Sequence, residues 1–304
     1  MNSKQEALVE IGRYLNLRNY RFTTITPESH RRIISRESHR EAHDARGVFG
    51  WSLPFREDLL PSEIVQLLEA ADCLESDHDL LRSTVRFSTV GDAIYAHSAF
   101  PTTSPDSVFF GPDTYRFLNL LDHEVGRASR AVDLGCGSGA GGLSIASRAD
   151  ELILVDINPR SLELAEVNAS LASIRHASFV KSDLLSQVGG EIDLILANPP
   201  YLIDEESRVY RHGGGAFGEA LSIRIVKEAL ERLSSGGKLV LYTGTAVVDG
   251  VDTFLESIRE LIQSAGATFS YREIDPDVFG EELDRPSYQA VERLAVAGLT
   301  MIKP

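Results

Sequence analysis

Between Asp133 and Gly142 the chain reads Asp-Leu-Gly-Cys-Gly-Ser-Gly-Ala-Gly-Gly, after a short apolar run and before a helical pattern. Glycines at this density permit positive φ and close backbone approach to a ligand, at an entropic cost elsewhere avoided. Between a strand and a helix they commit the chain to the ligand-binding corner of an α/β fold. Gly137, Gly139 and Gly142 also satisfy the dinucleotide pattern G-x-G-x-x-G. That pattern alone is weak, so its neighbours decide the ligand.

The pattern around this loop alternates. Helical spacing over 112–124 leads to a strand at 130–134; a second strand, 151–156, precedes an amphipathic helix over 158–172. Strands follow at 177–181, 191–197 and 237–243, with helices at 217–234 and about 250–265, then strands at 267–273 and 291–302. Such alternation predicts a parallel sheet covered by helices, with ligands at the carboxyl ends of its strands. Residues 1–105 differ in texture. Helical spacing covers 5–16 and 61–74, the latter with Pro61 at its start, and 84–97 reads as a β-hairpin around Gly91-Asp92. The Pro-, Ser- and Thr-rich stretch 99–107 reads as a linker. Two domains are expected: a smaller, mostly helical 1–105 and an α/β unit 106–304.

Composition narrows the function. The chain has 304 residues, 30 Lys and Arg against 45 Asp and Glu, and a formal charge of −15. This opposes broad, non-specific nucleic-acid binding, which cations drive by releasing counterions. The charge is uneven: residues 1–105 carry 12 positive and 15 negative groups, the remainder 18 and 30. Two cysteines, Cys73 and Cys136, make no disulfide framework, and with no signal-peptide pattern or apolar run of membrane length the expected compartment is the cytoplasm.

Three acids accompany the glycine loop. Asp133 stands where a pyrophosphate would be repelled and a cation attracted; Asp156 ends the next strand, placed to accept two ribose hydroxyls; Asp183 follows the third, placed to accept an adenine amino group. Each alone reads equally as a helix cap. Together they describe a nucleoside bearing an amino acid and a sulfonium. Here the chain resembles the class I S-adenosylmethionine-dependent methyltransferases, with DLGCGSG, LVDIN and SDLL like their loop, ribose and adenine motifs. The resemblance implies a Rossmann-like seven-stranded sheet whose last strand is antiparallel. It also implies cofactor contacts from Asp133, Gly135, Cys136, Gly137, Ser138 and Gly139, from Asp156 and Ile157, and from Asp183, Leu184 and Asn198.

Asn198-Pro199-Pro200-Tyr201 ends the fourth strand. Prolines lack N–H donors, leaving carbonyls free to accept. The Asn198 side-chain oxygen and the Pro199 carbonyl can together hold a planar NH₂ group, with Tyr201 offering a ring for stacking. Asn198, Pro199, Pro200 and Tyr201 are therefore the candidate catalytic residues. Proteins with this tetrapeptide methylate adenine N6, guanine N2 or glutamine amides. The segment 108–115, Val-Phe-Phe-Gly-Pro-Asp-Thr-Tyr, is similar to the one preceding the loop in HemK-type protein-glutamine methyltransferases, matching at Pro112 and Thr114 and departing at Gly111 and Tyr115. It adds Phe110, Thr114 and Tyr201 as candidate substrate contacts; its bland reading is a connector helix starting at Pro112.

Other features weigh less. Gly213, Gly214 and Gly215 suggest a lid or a tolerant surface loop, and Asp204, Glu205 and Glu206 fall near the expected pocket mouth. Arg32, Arg36 and Arg40 form an i, i+4 stripe that reads as an RNA phosphate anchor or, with Glu28, Glu37 and Glu41 interleaved, as a solvated salt-bridged face. His30, His39 and His43 complete no zinc spacing, so no metal is expected. Cys136 reads as a small packed residue. The leading function is S-adenosylmethionine-dependent N-methylation of a protein glutamine; the alternatives are nucleobase methylation of RNA or DNA, small-molecule methylation, or a cofactor-binding module without chemistry.

Overall fold

The computed structural model describes residues 1–203 and 211–304; Asp204, Glu205 and Glu206 lie outside the described residues. The first part of the chain contains α1 (Ser3–Leu17), α2 (Pro27–Ile34), α3 (Ala45–Phe49) and α4 (Ser62–Ala70). Two antiparallel hairpins follow, β1 (Leu74–Asp77) with β2 (Leu80–Ser83), and β3 (Val85–Val90) with β4 (Ala93–Ser98). Periodicity located α1, α4 and the second hairpin, which turns at Gly91-Asp92 in register Val90 to Ala93. It overran α4. The chain turns at Asp72, φ +56°, and leaves the helix for β1.

The second part runs α5 (Pro112–Glu124), β5 (Ala128–Leu134), α6 (Ala140–Ser144), β6 (Ala149–Asp156), α7 (Pro159–Leu171), β7 (Ala177–Lys181) and β8 (Ile192–Ala197). It continues α8 (Ala220–Arg232), β9 (Leu233–Val248), β10 (Val251–Asp252), α9 (Thr253–Ser264), β11 (Thr268–Asp275) and β12 (Arg293–Ile302). The sheet order is β11-β12-β9-β8-β5-β6-β7, with β10 folding back on β9. β5 to β9 pair in parallel, whereas β12 runs antiparallel to both neighbours. This is the expected Rossmann-like sheet of seven strands, with β10 as a two-residue addition.

Both faces are buried, as helical crossovers require of parallel strands. Leu194, Leu196, Val240 and Tyr242 face one core with α5 and α6; Ile195, Ala197, Leu239 and Leu241 face the other with α8 and α9. The alternation is the period of two expected of strands. Among the described residues no helix is long and apolar enough to cross a membrane.

The helix α7 joins the two parts. Its Leu164 and Val167 belong to the N-terminal core, with Leu8 and Ile11 of α1 and Phe87 of β3. Buried Asn168 accepts a hydrogen bond from Ala96 N (2.7 Å) and donates to Ala96 O (2.9 Å) and to Ser138 O in the glycine loop (2.8 Å). The stretch 99–107 is likewise tied down. Asn158 Nδ2 donates to Asp106 O, and Phe100 N to Ser52 Oγ.

The arginine stripe is not one helical face, because α2 ends at Ile34 and Arg36 is extended. Arg32 pairs with Glu28, Arg40 with Glu37 and Arg56 with Glu41, all in exposed settings.

Asn168→Ala removes three buried hydrogen bonds and leaves the Ala96 amide without a partner. It should lower stability by about 2–4 kcal/mol, read as a lower urea midpoint with an unchanged m-value.

Candidate active site

β5 delivers Asp133 to the centre of the sheet, and the chain then turns through Gly135 (φ +65°), Gly137 (+54°) and Gly139 (+78°) into α6. Cys136 N bonds to Val155 O, laying the turn against the end of β6. A Cβ on Gly139 would meet Leu154 at 2.9 Å and Ala165 at 3.0 Å. Gly139 thus holds the loop down on β6 and α7 and does not line the cavity. Buried Cys136 packs as a small residue whose thiol is pushed up by burial.

Asp133 and Asp156 are both buried. Gly142 N donates to Asp133 (2.7 Å), so this acid does cap α6. Burial nevertheless raises its carboxyl to about 7, helped by the nearby Asp156. Each Asp156 oxygen accepts one backbone N–H, from Gly137 (2.9 Å) and Asn158 (2.8 Å). Burial lifts this carboxyl too, against those donors. Asn158, not Asp156, caps α7, accepting from Arg160 N. Asp183 is half exposed and pairs with Arg224 at 2.8 Å.

These groups wall a cavity of about 240 Å³ at the carboxyl ends of the strands. Asp133, Gly135, Cys136, Gly137, Ser138, Asp156, Ile157, Asp183 and Leu184 all line it, as do Asn198, Pro199, Pro200, Tyr201 and Thr114. Phe110 does not. It is buried and stacks on His97 with ring centroids 5.0 Å apart, while the adjacent Phe109 lines the cavity. The departure at Gly111 has a steric reason: a Cβ there would lie 2.5 Å from the Phe109 ring. Thr114 also accepts from Gly111 N, capping α5, and Tyr115 receives Thr24 N at 3.0 Å.

The tetrapeptide is held from three sides. Tyr201 is buried; its hydroxyl donates to Asp113 Oδ2 (2.7 Å), and Tyr242 donates to Asp113 Oδ1 (2.8 Å). Its ring lies on Gly244 of β9, where a Cβ would approach to 2.1 Å. The chain at Gly213 and Gly218 packs on the backbone of Pro200 and Tyr201; a Gly218 Cβ would lie 2.1 Å from Tyr201 O. These glycines serve close packing beside the tetrapeptide. The Asn198 carboxamide is half-buried and bonds to no other described residue, so its oxygen is available to a ligand.

Sequence reasoning missed Asp113, Phe109, Phe117, Asn158, Arg211 and Phe279 in this wall. Asp113 had a visible signal, an acid in the first turn of a helix. Nothing in the spacing announced that two distant tyrosines meet it. Arg211 comes from the far side, held by the buried Glu282.

The chain is 36% identical over 156 residues to the release factor glutamine methyltransferase of Escherichia coli, covering 46% of this chain and 56% of that one. It is also 36% identical over 131 residues to ribosomal RNA large subunit methyltransferase G of Pseudomonas paraeruginosa, covering 41% and 32%. The chain spans about half the length of the curated glutamine methyltransferases it matches. Among solved structures, that of Trm5b from Pyrococcus abyssi shares the fold with a TM-score of 0.52, at 16% identity, over 79% of this chain and 68% of that one. The profile of the family described as "Methyltransferase small domain" matches residues 111–267. That stretch runs from the entry of α5 to the turn after α9 and carries most of the cavity wall. The chain belongs to the methyltransferase small domain family.

Proposed function

We propose that the chain is an S-adenosylmethionine-dependent N-methyltransferase acting on the side-chain amide of a protein glutamine. The observation that carries this reading is the half-exposed Asn198 carboxamide, lining the same cavity as the glycine loop and Asp156. The residues present fit the cofactor. Asp156 keeps lone pairs for ribose hydroxyls beside its two backbone bonds, Asp183 and Leu184 border the adenine end, and Ile157 offers an exposed apolar surface. Asp133 is a buried acid with no cationic partner among the described residues, which suits a positively charged ligand.

When bound, the cofactor supplies a methyl carbon on a positively charged sulfur, which keeps the bonding pair on transfer. An amide nitrogen is a poor nucleophile because its lone pair is delocalised. Asn198 Oδ1 and the Pro199 carbonyl accept its two N–H bonds, fixing the nitrogen toward the methyl group and favouring pyramidalisation. The nitrogen lone pair forms the new N–C bond, and its surplus proton passes to water. Tyr201, anchored on Asp113 and Gly244, gives the acceptor slot a fixed wall.

A glutamine is favoured over a nucleobase by charge. The cavity wall carries Asp113, Asp133, Asp156 and Asp183 against Arg211, and two of the three surface arginines expected to grip phosphates, Arg32 and Arg40, are paired with glutamates. Residues 1–105 are assigned to acceptor recognition, since Pro27 of that part borders the cavity. The two free cysteines accord with a reducing cytoplasm as the compartment.

Asp156→Ala should weaken cofactor binding at least tenfold by calorimetry; unchanged affinity would refute the ribose assignment. Asn198→Ala should leave cofactor affinity intact and lower methyl transfer to a glutamine-bearing protein substrate roughly 10²–10³-fold. Undiminished transfer would refute the tetrapeptide mechanism, and transfer into RNA alone would refute the acceptor. Asp133 holds its proton up to about pH 7, and a bound cation favours the ionised form. Binding at pH 6 should therefore release a proton, and affinity should rise with pH and level off above 7. Calorimetry in buffers of different ionisation enthalpy reads both effects.

A further inference from the structure

Among the described residues, eight that are not glycine have a positive φ. Six of them are polar, being Asn, Asp, Ser or His. The other two, Leu184 (φ +46°) and Phe279 (φ +54°), are bulky and apolar, and both line the large cavity. Crowding at Cβ makes the left-handed region unfavourable for such side chains. A bulky residue stays there only where its surroundings over-determine it, and such outliers gather at ligand sites. Leu184 borders the end assigned to adenine. Phe279 stands beside the tetrapeptide, its ring centroid 6.1 Å from that of Tyr201.

Its neighbours hold Phe279 in place. Buried Val278 donates its N–H to Leu294 O of β12 (2.8 Å), and Phe279 O accepts from Glu282 N (2.8 Å). Glu282 is itself buried and clasped by Arg211 and Arg285. Ile203 N, two residues past the tetrapeptide, donates to the hydroxyl of buried Tyr288 (2.7 Å). A glycine, which adopts positive φ freely, stands one position on at Gly280 and is not used for it.

The two rings beside the tetrapeptide offer different surfaces. Tyr201 is 8% exposed, its face on Gly244 and its hydroxyl on Asp113, and so shows the cavity little. Phe279 packs on the same core but is only partly covered. An amide held in its own plane by Asn198 Oδ1 and the Pro199 carbonyl still has two open faces. The nitrogen lone pair lies normal to that plane, so the methyl donor takes one face. The amide is free to tilt away from the donor unless a flat surface backs the other.

We propose that Phe279 is a positioning residue for the acceptor, its ring backing the amide face turned away from the methyl donor; this rests on methyl transfer to a glutamine as the function. The left-handed backbone aims the ring into the cavity, and the Glu282 clasp keeps it there. The acceptor such a wall fits is a flat, uncharged group.

The test compares Phe279→Gly, Phe279→Ala and Phe279→Tyr with wild type, each in the full chain. The acceptor probe is the pentapeptide Ala-Ala-Gln-Ala-Ala, blocked at both ends, with tritiated S-adenosylmethionine. Phe279→Gly relieves the backbone as it removes the ring. Its thermal midpoint should stay within about 2 °C of wild type, with Phe279→Ala below both. Cofactor affinity by calorimetry should be unchanged. The KM for the peptide should rise roughly tenfold in Phe279→Gly and return to within about threefold of wild type in Phe279→Tyr. A merely structural ring would instead lower the Phe279→Gly midpoint by about 5 °C or more and take cofactor affinity down with KM; that outcome overturns the proposal, as does an unchanged KM. A second readout needs no turnover. In the chain saturated with S-adenosylhomocysteine, irradiating aromatic protons should transfer saturation to the glutamine side-chain protons of the peptide. Undiminished transfer in Phe279→Gly would overturn the proposal as well. A wild-type chain that binds S-adenosylmethionine but methylates no peptide refutes the glutamine reading, and the role of Phe279 with it. A wild type that methylates the peptide, beside a glycine variant of equal KM, refutes the role of Phe279 alone.

Discussion

The site depends on one constraint of sheet construction: β5 enters at the centre, and the chain builds outward from it in both directions. The strands β6 and β7 are laid on one side, β8 and β9 on the other. The connections leaving β5 and β8 therefore diverge, and parallel strands so arranged leave a crevice at their carboxyl ends. The glycine loop and the Asn198–Tyr201 tetrapeptide are the two banks of that crevice. Everything else in the cavity wall serves to hold one bank or the other.

The far bank is held chiefly by a single carboxylate. Asp113 receives hydroxyls from Tyr201 and Tyr242 and a guanidinium N–H from Arg116, which also reaches Asp275. Three elements, α5, the tetrapeptide and β9, are therefore referenced to one point. Charge-assisted bonds of this kind are shorter and stronger than neutral ones, and two oxygens fix the two phenols relative to each other. The packing of Tyr201 on Gly244 removes the remaining freedom, since no side chain intervenes between ring and strand.

Legibility from sequence followed the range of the interaction. Strand and helix alternation after residue 108 was readable because burial on both faces writes a local pattern, and α5 and β7 were located to the residue. The three acids were readable because each ends or follows a strand near the glycine loop. The hairpin β1–β2 was not; its leucines are only partly covered and its buried residue is the polar Ser83, so no apolar alternation marks it. Phe109 and Phe110 were distinguishable only once the fold showed which ring faces the cavity. The arginine stripe failed for a local reason, a helix ending at Ile34 before the spacing was complete. Asn168 was silent, because a buried polar residue in a helix looks in sequence like any solvent-facing one.

The manner in which α7 is buried sets a limit on how this chain can be divided. One side of the helix covers the sheet, and the other, through Leu164 and Val167, completes the core formed by α1 and the β3–β4 hairpin. A protein cut at the 99–107 stretch would keep every strand-end acid and the whole tetrapeptide. It would also carry a bare apolar stripe beside its glycine loop and an Asn168 amide bonded on one side only. The first hundred residues thus act as the outer wall of the catalytic fold, and a descendant that exchanged them for another recognition unit would first have to re-cover that helix.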